Sequence, residues 1–307
     1  MFEKIKAKLG IAPDIGEPPY EYDLLVSLDE KEYPKYLKRM YKTFLGKDLN
    51  LKNPKTFSEK IQWLKLYDNS PLKTTLTDKV LVRDYVKEKI GEEYLKPVLQ
   101  VCKTFDEINF DELPESFIIK ANHGCKWQYK IKNKSKFLEK KELVEYVKRQ
   151  FTGWLEQTFF PWAGFEMQYR DIKPQILIEP ILLSQNSEFS MEYEVYCFHG
   201  EPQILQKIKH SVPEECSVYD KDFSPSSILF NLSHVRVEDD KIDDNLKKAT
   251  ELSKVLAKDF KLARIDWLVQ DDKFYFNEMT FSPYSGFYIF EDKNLDLELG
   301  KMLNLKK

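Results

Sequence analysis

An α+β protein with a mainly helical N-terminal region is predicted from three features of the 307-residue sequence. The front of the chain carries helical apolar periodicity without the strand-helix alternation of a complete nucleotide-binding domain. From Pro114 the order becomes strand, turn, strand, helix, strand, which is the pattern of a small α+β lobe. Near the C-terminus, KLARIDWLVQDDKFYFNEMTFSPYSGF from Lys261 to Phe287 reads as two strands joined by a polar turn. These features divide the chain into an arm and helix over 1–50, a helical region over 51–115, and two lobes over 116–180 and 181–307.

Composition narrows the class. Hydrophobic residues make up 42% and charged residues 32%, the balance of a folded, water-soluble chain. The formal net charge is -3, so no basic field points to nucleic acid. The four cysteines, Cys102, Cys125, Cys197 and Cys216, have no C-x-x-C spacing, and reduced thiols in a cytoplasmic protein account for them. Cys125 has no evident base beside it and is read as a small packing residue. The longest apolar stretch, Ile176 to Leu183, is interrupted by Glu179 and Pro180, so no integral membrane segment is expected. The N-terminal MFEKIKAKLGIAP is too short and charged for a secretory signal, and reads as a frayed helix or a weak amphipathic anchor.

In chain order, PDIGEPPYEY over 13–22 is an irregular arm, and a helix is expected from Pro34 to Leu45. Thr56-Phe-Ser-Glu59 has capping-box spacing and opens a helix with Phe57, Ile61, Leu64 and Tyr67 inward. A third helix is placed from Thr77 to Gly91 with Leu81, Tyr85 and Ile90 inward. Phe117 to Lys120 is a buried strand, Asn122 to Trp127 a turn, and Gln128 to Lys132 a returning strand. A helix over Glu139 to Phe151, with Leu143, Val144, Val147 and Phe151 on one side, precedes a buried strand from Pro174 to Glu179. Strands follow at Tyr193 to Phe198 and Gln203 to Ile208 about a turn at His199 to Pro202, then an irregular stretch to Glu238. Asp243 to Phe260 is a helix with Leu246, Ala249, Leu252, Leu256 and Phe260 as its stripe.

Alternation in the C-terminal hairpin puts Arg264, Asp266 and Leu268 on one face of its first strand and Ile265, Trp267 and Val269 on the other. On the second strand Phe274, Phe276 and Glu278 are expected to share a face. Asp266 and Glu278 are an even number of residues apart, so an odd-length loop around Asp271 to Lys273 would set them side by side. Two neighbouring carboxylates repel unless a cation lies between them, and Mg²⁺ carrying nucleotide phosphates is the usual occupant. The competing reading is an exposed hairpin whose acids face water. Lys120 at a strand end could place an ammonium on a phosphate, or merely extend to solvent. Lys79, beside Asp78 at a helix start, has the same two readings.

Taken together, Lys79, Lys120, Glu179, Arg264-x-Asp266 and Glu278-x-Thr280 occur in the order seen in ATP-grasp domains. The match sharpens in NPKTFSEKIQWLKLY over 53–67, DKVLVR over 78–83, KANHG over 120–124 and NEMTF over 277–281, which resemble the TupA-like ATP-grasp family across roughly residues 38–290. That resemblance implies an ATP-grasp fold in which two α+β lobes clamp ATP. It implies ATP and Mg²⁺ as cofactors, with Asp266, Glu278 and Thr280 as metal ligands, Thr280 standing where the wider pattern has Asn. It implies nucleotide contacts from Lys79, Lys120, His123, Gly124, Lys126, Glu179, Ile181 and Glu194, with Glu179 holding the adenine amino group. Cys125-Lys126-Trp127 replaces the small glycine-rich loop common in the family, so the Lys126 ammonium stands in for part of a backbone phosphate cradle.

The implied activity is an ADP-forming carboxylate-amine ligase, with Arg264 and Lys120 as catalytic residues. Its substrates would be a small-molecule carboxylate, a sugar acid or sugar nucleotide, and an amine, joined as an amide on a bacterial capsule or cell-wall sugar. A small-molecule kinase on the same ATP site is the nearest alternative. A glycosyltransferase using Asp220-Lys-Asp222 as a D-x-D motif belongs to another class, as does a carbohydrate-binding protein without catalysis, which would leave the ordered lysines and acids unexplained.

Overall fold

The protein is described by a computed structural model over residues 21–162, 164–182, 190–238, 241–292 and 294–306. The expectations for the N-terminal segment and most of the 13–22 arm fall outside these residues. Helices are α1 (Tyr22–Ser27), α2 (Tyr33–Leu45), α3 (Phe57–Tyr67), α4 (Pro71–Thr77), α5 (Val82–Ile90), α6 (Lys134–Glu139), α7 (Lys141–Leu155), α8 (Asp244–Ala257) and α9 (Leu295–Met302). Strands are β1 (Gln100–Cys102), β2 (Phe117–Ala121), β3 (Gln128–Ile131), β4 (Ile176–Pro180), β5 (Met191–Phe198), β6 (Glu201–Lys209), β7 (Glu215–Asp220), β8 (Val235–Arg236), β9 (Leu262–Gln270) and β10 (Lys273–Thr280). Among the described residues no helix is long and apolar enough to cross a membrane.

Backbone proximity separates two units that do not follow the sequence order. Of the described residues, one comprises those up to Leu37 with Asn69–Val82 and those from Lys96 to Ile181, and the other Lys38–Asp68, Arg83–Leu95 and those from Leu182 onward. The helical stretch 51–115 is thus shared between them.

In the first unit an antiparallel sheet runs β1-β4-β2-β3. Phe117, Ile119 and Ala121 of β2, with Ile176 and Ile178 of β4, turn one face onto Val147, Phe151 and Trp154 of α7. Period-2 alternation then leaves Ile118, Lys120, Leu177 and Glu179 on the opposite face. The α7 stripe includes Trp154, whereas Leu143 and Val144 are only partly buried.

In the second unit a sheet runs β10-β9-β5-β6-β7-β8, antiparallel except for β7-β8. Helix α8 packs on β5, β6 and β9, with Leu246, Ala249, Leu252 and Leu256 buried as the periodicity predicts. Asp243 caps it by accepting from the Leu246 amide at 2.8 Å. The Thr56/Glu59 capping box forms as expected at the start of α3, whose Phe57, Ile61 and Leu64 join a core with Tyr196, Phe198 and Phe230.

Several expectations need correction. Tyr67 is exposed, because the stripe of α3 ends at Leu64. The helix placed from Thr77 starts only at Val82: α4 ends at Thr77, and Asp78 accepts from the Val80 and Leu81 amides in the turn between α4 and α5. That turn rotates the stripe, so Val82 and Val86 are buried while Leu81 is exposed. The stretch up to Glu238 contains β7, whose core residues Cys216 and Val218 are hidden in the sequence by polar neighbours. The β9-β10 loop has two residues, since Gln270 pairs with Lys273, and Asp271 supplies the positive φ of 52°. A bulge at Asn277 then shifts the register, which places Glu278 opposite Asp266 although the turn is even. The same extra residue breaks the alternation. Phe274 and Phe276 therefore lie with Val269 and Trp267, and Glu278 shares the face of Asp266 instead of theirs.

Candidate active site

The first unit gathers its lysines around two features. Lys120 and Glu179 are diagonal neighbours on the face of the sheet away from α7, and Lys120 Nζ lies 2.9 Å from Glu179 Oε2. The same oxygen accepts from Lys96 Nζ at 2.8 Å, from the segment leading into β1. All three side chains are less than 10% exposed. Burial works to raise the Glu179 pKa, but Lys120 and then Lys96 hold it at about 2. Burial, followed by repulsion from Lys120, pushes Lys96 down to about 7. The Glu179 carboxylate, expected at the adenine amino group, is thus engaged with two ammoniums. Lys96 escaped the sequence reading, and its only signal is a lysine inside the apolar run Tyr94-Leu-Lys-Pro-Val-Leu99.

The second feature is the Asn122–Trp127 turn. Lys79 donates from Nζ to the Gly124 carbonyl at 2.8 Å and from its backbone to the Asn122 carbonyl at 3.2 Å. Asn122 accepts from the Gln175 amide and donates to the Lys173 carbonyl. His123 lies inside, its Nε2 2.9 Å from the Trp154 carbonyl, and burial drives its pKa down to about 4. Gly124 is needed sterically: a Cβ there would stand 2.3 Å from the Trp127 ring, which stacks on Trp154. Lys126 is exposed in the left-handed region at φ 60°. The structure therefore joins Lys79 to the turn carrying His123, Gly124 and Lys126, and joins Lys120 to Glu179. Ile181 follows β4 with intermediate exposure.

In the second unit three carboxylates form one row across three strands. Glu194 on β5 pairs in register with Asp266 on β9, which pairs with Glu278 on β10. The adjoining row is Tyr196, Arg264 and Thr280. Arg264 reaches along its strand and grips Asp266 bidentately, Nε to Oδ1 at 2.7 Å and Nη2 to Oδ2 at 2.6 Å. Its Nη1 lies 3.1 Å from Glu194, and its Nη2 3.9 Å from Glu278. The guanidinium carbon also lies 5.9 Å from the ring centroids of Tyr196 and Tyr284. Asn277, the bulge residue, donates to Glu192 at 3.1 Å.

One guanidinium thus faces at least three acids. Burial, opposed by Arg264 and reinforced by Glu192, pushes Glu194 up to about 7. The Asp266 pKa is likewise raised, by burial first and by Glu194, Glu192 and Glu278 against the pull of Arg264. This surplus of hard oxygen donors suits a divalent cation. Among the described residues no three acid, histidine or cysteine side chains converge closely enough to hold a metal alone. A pair of carboxylates completed by water and phosphate oxygens is the coordination Mg²⁺ ordinarily takes. Tyr196, Tyr284 and Asn277 were missed in the sequence because their roles depend on register and loop conformation. By contrast, Asp220 of the D-x-D tripeptide accepts from the Asp222 and Ser224 amides and serves its own turn.

The profile of the TupA-like ATP-grasp family matches residues 59–304. No curated protein matches the chain. Among solved structures, it is similar to D-alanine–D-alanine ligase from Helicobacter pylori at 18% identity and a TM-score of 0.44, covering 80% of this chain and 69% of that one. D-alanine–D-alanine ligase from Bacillus anthracis complexed with ATP aligns at 14% identity and a TM-score of 0.39 over 71% of this chain, which spans only 55% of that enzyme. The ATP-grasp ligase PsnB with a phosphomimetic variant of its minimal precursor, Mg and ADP aligns at 11% identity and 0.42, over 80% of this chain and 66% of that one.

Proposed function

The chain belongs to the TupA-like ATP-grasp family, and we propose that it is an ATP-dependent, ADP-forming carboxylate-amine ligase acting through an acyl phosphate. The observation that carries this reading is the Glu194-Asp266-Glu278 row, in which three acid side chains converge on the Arg264 guanidinium. Asp266 and Glu278, with Thr280 at the strand end, would hold Mg²⁺ at that row. The metal would supply charge neutralisation to the phosphates of ATP. Lys120 and Lys79 would offset phosphate charge, with Gly124 and Lys126 in the turn beside them and backbone groups near Ile181 meeting the base.

A carboxylate is a poor electrophile, so phosphorylation by ATP would convert it to a mixed anhydride that an amine opens with loss of phosphate. Arg264 would meet the negative charge that develops as that carboxyl carbon reacts, an interaction stronger in the transition state than before it. The substrate reading is an amide on a bacterial surface sugar, made in the cytoplasm from a uronic acid and an amino acid or amine. It rests on family context.

Hydroxylamine tests the reading. With MgATP and a panel of uronic acids and sugar nucleotides, it should intercept the anhydride as a hydroxamate, with ADP and phosphate formed in equal amounts. ADP without hydroxamate or free phosphate would make the enzyme a kinase and overturn the proposal.

A further inference from the structure

The NPKTFSEKIQWLKLY motif over 53–67 has no part in the chemistry described so far, yet three of its polar side chains are buried, and one of them, Ser58, donates to Asp296. Gln62 and Lys65 on α3 are 0% and 2% exposed. Both reach the same atom: Gln62 Nε2 donates to the Ser285 carbonyl at 2.9 Å, and Lys65 Nζ donates to it at 3.0 Å. Lys65 also donates to Gln62 Oε1 at 2.9 Å and lies 4.9 Å from the centroid of the Phe287 ring.

That carbonyl belongs to an unusual backbone. Tyr284, Ser285 and Gly286 follow one another in the left-handed region, at φ 50°, 50° and 70°. Only the last is glycine, so two L-residues carry a conformation they rarely adopt. Gly286 cannot be otherwise, because a Cβ there would meet Gln62 Nε2 at 2.6 Å and Ile61 Cγ2 at 2.8 Å. The turn is therefore pressed against α3, and its conformation sets Tyr284 on the Arg264 guanidinium.

We propose that Gln62 and Lys65 are positioning residues: they hold Tyr284–Gly286 in its left-handed turn through the Ser285 carbonyl and so seat the Tyr284 ring on Arg264. Two convergent donors on one carbonyl, one of them a buried ammonium, favour the single backbone arrangement that presents that oxygen to α3. The importance of Arg264 to catalysis rests on the ligase reading, whereas the brace itself does not. Its test is accordingly free of any turnover assay.

Hydrogen exchange of amides 281–288 and the Arg264 Nε–H resonance are followed in the whole protein. Lys65→Met and Gln62→Ala should each speed exchange in that segment by roughly tenfold, the loss expected for one buried hydrogen bond. Amides of β9 and the α3 helix should keep their protection. The Arg264 Nε–H signal should move in the same direction as in Tyr284→Leu. Adding Ser285→Gly to Lys65→Met should restore much of the protection, because glycine takes positive φ without strain. Unchanged exchange at 281–288, or an equal rise across α3 and β9, would overturn the proposal. So would an Arg264 signal that stays in place, or a Ser285→Gly addition without effect.

Discussion

Replacing Glu179 by Gln keeps the shape of the side chain and removes the one negative charge between two buried ammoniums. Lys96 and Lys120 sit 2.8 and 2.9 Å from the same oxygen, with all three groups less than 10% exposed. Breaking a buried ion pair by deleting one partner costs about 3–5 kcal/mol, because the surviving charge is left without compensation. The Gln oxygen still accepts one hydrogen bond, which places the expectation toward the lower end of that range. The loss should also depend on pH. With the carboxylate gone, Lys96, already down to about 7, would stay neutral in the folded state while the unfolded chain holds the proton. The folded state then binds fewer protons below pH 7, so the deficit deepens as pH falls, by up to about 1.4 kcal/mol per unit. Urea unfolding followed by tryptophan fluorescence reads this, since Trp127, Trp154 and Trp162 lie in the same unit. A loss under about 1 kcal/mol with no pH dependence would refute the charge argument. If ATP binding alone suffered, Glu179 would serve the nucleotide and not the two lysines.

Three further outcomes follow from the same structure. His210 lies 3.1 Å from Glu192 and 2.7 Å from Glu214, and those contacts, Glu192 first, hold its pKa up at about 9. A folded pKa above the unfolded 6.5 gives stability that is full below pH 6.5 and lost as pH rises through 9. Allowing for its one-third exposure, that amounts to about 1–2 kcal/mol, and His210→Gln should flatten the unfolding profile over that window. Phe57→Ala, at a fully buried ring between Phe198 and Tyr288, should cost about 3–5 kcal/mol in urea unfolding. Arg264→Ala should lower turnover far more than nucleotide affinity, as steady-state kinetics against direct binding would show; the reverse pattern would make Arg264 a ground-state clamp.

What was legible in the sequence divides along physical lines. Helix α2 is signalled by Pro34 at its start, α3 by its capping box and stripe, and α8 by its 3.6-residue stripe, all local properties, and the buried strand at Phe117 by its apolar run. The pairing of Asp266 with Glu278 was anticipated, but the chain achieves it through a two-residue turn and a bulge, two departures whose effects on register cancel. A bulge costs the sequence no special residue, so nothing at Asn277 announces it. Lys96 was invisible because its meaning comes from a carboxylate across the sheet at Glu179. The left-handed run at Tyr284 and Ser285 carried only the Gly286 signal, since Tyr and Ser seldom mark positive φ.

The central claim is the proposal that this chain binds MgATP with the help of Lys120 and Asp266, and the shift in melting temperature on adding MgATP tests it most directly. At a free concentration near one hundred times Kd, MgATP should stabilise the protein by about 2.7 kcal/mol. The shift should shrink when EDTA removes the metal, and should be lost in Lys120→Met and much reduced in Asp266→Asn. A UDP-sugar producing the same shift as MgATP, or a full MgATP shift in Lys120→Met, would contradict the account.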